Sequence, residues 1–145
     1  MSLPRTIGYE LKSLANLIGR YLRERLDKRE LNGITGIQGM LIGYLYDNAN
    51  EREIFQRDIE REFHIRRSTV TGILQLMEGN GLIVRESVAH DARLKQLRLT
   101  AKAVMIHEII MEEINRVEDK LKTGLSDDEI ELFFRVIEKM KRNIE

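Results

Sequence analysis

Apolar residues recur at three- and four-residue steps through Ile7, Leu11, Leu14, Ile18, Tyr21 and Leu22. That spacing marks one face of an α-helix and predicts a long amphipathic helix ending near Asp27, with Pro4 where a first turn tolerates proline. "TGIQ" at 35–38 has capping-box spacing, threonine followed three residues later by glutamine, and starts a second helix. Ile37, Leu41, Tyr44 and Leu45 face inward on it, and "DNAN" closes it. "REIF" at 52–55 reads as a short strand, and "QRDIEREF" at 56–63 as a short helix burying Ile59 and Phe63. In the next segment Val70, Ile73, Leu74 and Met77 share one helical face, leaving Ser68, Thr71, Gly72 and Gln75 towards the other. "GNG" at 79–81 stops that helix, because glycine adopts the left-handed cap conformation without penalty.

The period then changes. "LIVRE" at 82–86 and "KQLRLT" at 95–100 read as paired strands, with Leu97 and Leu99 on one side and "SVAHDAR" as the hairpin tip. Helical spacing returns with Ile106, Ile110, Ile114, Val117 and Leu121. "SDDE" at 126–129 is a second capping box, and it starts a last helix striped by Leu132, Phe133, Val136, Ile137, Met140 and Ile144.

Two short helices, a turn and a hairpin form a winged helix-turn-helix, whose second helix enters a major groove. The expected fold is therefore mainly α (α+β), a single domain over 1–145, with the winged unit at about 35–100. The terminal helices, about 4–30 and 101–145, carry more apolar surface than so small a unit can cover. Packing on the same helices of a second chain, as a two-fold dimer, resolves this.

Composition narrows the chemistry. The 145 residues contain no cysteine, which excludes disulfides, thiolate nucleophiles and cysteine-based zinc sites. No apolar run approaches the roughly 18 residues of a membrane span, and no signal peptide is visible, so a cytoplasmic protein is expected. Formal net charge is zero, but it is segregated: residues 66–102 hold seven Lys/Arg against three Asp/Glu, and residues 103–145 hold seven against eleven. A basic middle beside an acidic end is the asymmetry expected where one region meets a polyanion.

Within the basic middle, Arg66 and Arg67 suit phosphate contacts at a helix start, and Ser68, Thr69, Thr71 and Gln75 can reach base edges. Gly72 lets the helix approach closely. No acidic residue occurs between 66 and 77, which an ordinary solvated face of this Glu-rich chain would contain. Thr35 and Gln38 are candidates for backbone phosphates at a helix start, and Arg85 either braces the hairpin or meets a phosphate. His64, His90 and His107 have no i, i+4 pairing, so neither a metal nor another cofactor is expected.

Asp91, Arg93, Lys95, Leu99 and Thr100 spell D-x-R-x-K-x-x-x-L-T, preceded by "STVTGILQLMEGNGLIVR" at 68–85. Together these closely resemble the MarR family of transcription regulators, along nearly the whole chain. The resemblance implies a homodimer on double-stranded DNA, with a pseudo-palindromic operator whose half-sites lie about 10 base pairs apart. It implies that Arg93 enters a minor groove, that Asp91 holds the guanidinium without touching DNA, and that Lys95 meets the backbone. It further implies a ligand-responsive repressor taking a small aromatic or phenolic effector where the dimerisation helices meet the winged part. Tyr9, Tyr21, Tyr44, Tyr46, Met40 and Met105 stand at core-like helical spacing and define no effector site. Two positions depart from the family pattern. Ala103 stands where glycine is common, and Arg66 where a small capping residue is usual, which moves the expected cap to Ser68. The competing reading is a helical dimer acting through protein contacts, its DNA binding lost; the intact Arg93 and Lys95 weigh against it. No nucleophile, base and orienting group appear together, so an enzyme is not expected.

Overall fold

The computed structural model describes residues 5–31, 33–34 and 36–145. Pro4 and Thr35, with the first-turn proline, the first capping box and the Thr35 phosphate contact expected of them, lie outside the described residues. The elements run α1 (Ile7–Lys28), α2 (Gly36–Asn48), α3 (Gln56–Phe63), α4 (Arg67–Gly79), β1 (Ile83–Val88), β2 (Asp91–Leu99), α5 (Ala101–Lys122) and α6 (Asp127–Ile144). Two compact units result: Arg23–Glu112, and the segment up to Leu22 with Glu113–Glu145.

The core of the first unit draws on α2, α3, α4, both strands and the start of α5. Leu41, Ile42 and Leu45 of α2, Ile59 of α3, Val70, Leu74 and Met77 of α4, Ile83 and Leu97 of the hairpin, and Ala103 and Ile106 of α5 are buried together. Burial of these side chains is the dominant favourable contribution to folding. Gln38 is 5% exposed. That overturns its expected phosphate contact, because a side chain enclosed by the core cannot reach a nucleic-acid backbone.

The "REIF" segment is not a strand. Ile54 and Phe55 are buried because the chain turns inward before α3, and a single bond, from Leu97 N–H to the Ile54 carbonyl at 2.7 Å, replaces a ladder. α3 opens with the Asp58 carboxylate accepting from the Phe55 N–H at 2.8 Å. It closes at His64, held left-handed at φ 52°, ψ 44°, while the Ile65 N–H bonds the Glu60 carbonyl at 3.2 Å. This sharp cap makes the turn between the two helices of the motif.

α4 starts two residues earlier than the expected Ser68 cap would place it. Arg66 is the N-cap, extended at φ −64°, ψ 146°, and no side chain caps it; Ser68 already lies within the first turn. At the other end Gly81 takes the left-handed position at φ 70°, and the Leu82 N–H bonds the Met77 carbonyl at 2.8 Å. The second glycine of "GNG" therefore makes the turn into the hairpin.

β1 and β2 pair antiparallel from Ile83↔Leu99 to Ser87↔Lys95, after which Val88 pairs with Asp91. The turn itself is only Ala89–His90, so the expected seven-residue tip is mostly strand. An even ladder would set Val88 against Leu94; pairing it with Asp91 leaves 92–94 as a bulge on β2.

In the second unit, α6 begins as its sequence requires. Ser126 Oγ accepts from the Glu129 N–H at 3.1 Å, and the Glu129 carboxylate accepts from the Ser126 N–H at 3.0 Å. These bonds hold the Glu129 carboxyl below its ordinary value, the backbone N–H of Ser126 contributing most. Lys120 Nζ stands 4.9 Å from the Tyr21 ring centroid. No residue of α6 is buried, and Leu132, Phe133, Phe134, Val136 and Ile144 are exposed, as are Ile7, Leu11, Leu14 and Leu17 of α1. Among the described residues no helix is long and apolar enough to cross a membrane.

Candidate nucleic-acid interface

α4 buries Val70, Leu74 and Met77 and turns its remaining surface outward. Arg66, Arg67, Ser68, Thr69, Gly72 and Gln75 are exposed. The two arginines stand at the N-terminal end, where unpaired backbone N–H groups add positive potential. The acid-free run ends at Glu78, whose carboxylate accepts from Arg85 Nε at 2.7 Å. Arg85 thus braces β1 against α4. Thr71, Gln75, Glu78, Gly79 and Arg85 line a shallow concavity beside this helix.

Thr71 is placed differently from its exposed neighbours. Its hydroxyl donates to the Arg67 carbonyl at 2.9 Å and accepts from Gln56 Nε2 at 2.8 Å. The same Gln56 nitrogen donates to the Arg67 carbonyl at 3.3 Å. Sequence reasoning missed Gln56, and no signal could have found it. The contact joins residues separated by 11 and 15 positions, and it depends on how α3 packs on α4.

In the wing, Asp91 Oδ1 accepts both the backbone N–H of Arg93 at 2.9 Å and its Nε at 3.3 Å. One carboxylate oxygen therefore fixes both ends of that residue. The Arg93 side chain is 92% exposed, so the ion pair contributes little stability and serves mainly to orient the guanidinium. The bulge at 92–94 carries Arg93 out of the paired ladder, leaving its terminal nitrogens to bond an outside acceptor. Lys95 donates to Ser87 Oγ across the hairpin, and Arg98 Nε lies 3.7 Å from the Glu86 carboxylate.

The histidines occupy separate settings. His64 caps α3, His90 Nε2 is 3.8 Å from the Glu53 carboxylate, and the His107 ring lies 4.2 Å from that of Tyr46. Tyr44 packs edge-on against Phe63 and accepts from Arg52 at 2.7 Å, so it belongs to the core around α2 and α3.

Comparison with known proteins gives this geometry a context. The MarR family sequence profile matches residues 32–94, which include α2 through α4, β1 and the start of β2. The transcription regulator MarR from Oenococcus oeni PSU-1 is 32% identical, with 94% of this chain and 99% of that one covered and a TM-score of 0.67. MepR of S. aureus, solved as a complex with DNA, is 25% identical over 99% of this chain and 100% of its own, with a TM-score of 0.81. A heme sensor protein, PefR, shares the fold at 23% identity and a TM-score of 0.71. An exposed helix with two arginines at its N-terminal end, a wing that holds an arginine outward, and these likenesses lead to one conclusion: the chain belongs to the MarR family of winged-helix, DNA-binding transcription regulators.

Proposed function

We propose that the protein is a homodimeric, cytoplasmic repressor that binds a pseudo-palindromic operator and is released by a small aromatic or phenolic effector. The observation that carries the DNA-binding part is Arg93, almost wholly exposed yet held at two points by Asp91. Such a guanidinium suits a narrow minor groove, where negative potential is concentrated. Arg66 and Arg67 meet phosphates as α4 enters the major groove, Lys95 meets the backbone beside the wing, and Ser68, Thr69, Thr71 and Gln75 face base edges. Dimerisation is supported by the uncovered apolar stripes of α1 and α6, which a second copy of the same helices would cover. Effector control requires a ligand whose affinity differs between two spacings of the recognition helices.

Selection of bound fragments from a genomic DNA pool tests this, with Arg93→Ala in parallel. The native protein should enrich an inverted repeat with half-sites about one helical turn apart. Arg93→Ala should bind that repeat more weakly and with a salt slope smaller by about 2, about one for each wing of the dimer. Enrichment of no sequence at low salt would refute the reading. An unchanged affinity in the variant would remove the wing from it.

A further inference from the structure

Thr71 carries the most specific geometry on the exposed side of α4, and its hydroxyl has one proton to give. That proton goes to the Arg67 carbonyl at 2.9 Å, and one of the oxygen's two lone pairs is taken by Gln56 Nε2 at 2.8 Å. The Gln56 amide cannot be turned round. The Arg67 carbonyl can only accept, so nitrogen must face it, as it does at 3.3 Å. What remains at Thr71 is one acceptor lone pair and no donor.

We propose that Gln56 is a specificity-determining positioning residue, which makes Thr71 an acceptor-only reader of an exocyclic amino group in the major groove. The proposal rests on the DNA-binding reading above. A free threonine hydroxyl can donate to guanine or thymine oxygens as readily as it accepts from adenine N6 or cytosine N4, so it discriminates poorly. With its proton held on the Arg67 carbonyl, Thr71 satisfies only the amino-bearing bases, and a keto oxygen opposite it is left without a donor. Gln56 does this from the first residue of α3, without itself reading a base. Because Arg67 shares the network, the same bonds hold the first turn of α4, which no side chain caps.

The test is sequence selection by native protein, Gln56→Met, Thr71→Val and the double variant, with thermal melts and binding to unrelated DNA measured alongside. Native protein should prefer adenine or cytosine over guanine or thymine at one symmetry-related position by about tenfold, the scale of one good base contact. Gln56→Met should admit keto bases at that position, Thr71→Val should lose the preference, and the double variant should match Thr71→Val. For Gln56→Met, affinity for unrelated DNA and its salt slope should stay as in the native protein. The proposal is overturned if Gln56→Met keeps the native base preference while melting normally. It is also overturned if that variant loses affinity equally for all sequences, because Gln56 would then serve only the backbone contact. Failure of the native protein to select any sequence would instead sink the DNA-binding reading, and this inference with it.

Discussion

Gly72 offers a test in which two readouts should move in opposite directions. It lies inside α4 and is exposed, and a Cβ added there meets nothing within 4 Å. Glycine in a helix interior costs about 1 kcal/mol relative to alanine. Gly72→Ala should therefore stabilise the free protein by about 0.5–1 kcal/mol, raising its melting temperature by a few degrees at fixed protein concentration. On DNA the sign reverses. Gly72 shares the outward face with Ser68 and Gln75, and a methyl group there holds the helix away from the groove floor. Loss of one good base contact costs about 1–3 kcal/mol, so operator affinity should fall roughly tenfold or more. The assays are a thermal melt and an operator titration on the same preparation. A stabilised variant with undiminished affinity would refute the docking of α4 by this face. A destabilised variant would refute the helix-propensity argument itself.

The left-handed His64 predicts that His64→Gly will be stable or slightly stabilised, whereas His64→Val should lose about 1–2 kcal/mol in a chemical denaturation curve. Ser126→Ala should cost about 1 kcal/mol by the same measurement, because the Glu129 N–H loses its acceptor. Glu129 has a lowered folded-state pKa, so its contribution is fully present above its ordinary value of 4.5 and is lost as pH falls through the lowered value; Glu129→Gln should flatten that part of the stability profile. Phe133→Asp, which charges the exposed α6 stripe, should shift sedimentation from dimer towards monomer and abolish binding to an inverted repeat while sparing single-half-site contact. Unchanged sedimentation would move the dimer interface elsewhere.

Local rules decide much of this chain. The capping box at 126–129 forms because Ser126 and Glu129 are three residues apart, and both of its bonds close within one turn. Helical faces, the glycine turn at 81 and the two strands likewise follow from spacing, since each depends on neighbours a few residues away. The wing arginine and its Asp91 partner were legible through the resemblance to the MarR family, which implied the pairing that the wing then forms. Other outcomes needed distant parts to meet. Gln38 looked like a surface amide until the core closed over it. Arg85 chose Glu78 once β1 lay against α4. The left-handed conformation fell on His64, a non-glycine residue whose strain the surrounding packing outweighs. Thr71 became an acceptor because Gln56 reached it from another helix. Sequence periodicity thus determined which surfaces exist and which residues they carry. Only the tertiary structure decided the partner of each polar group, because a hydrogen bond needs both its ends within about 3 Å, and the chain brings distant ends that close only after its elements have packed.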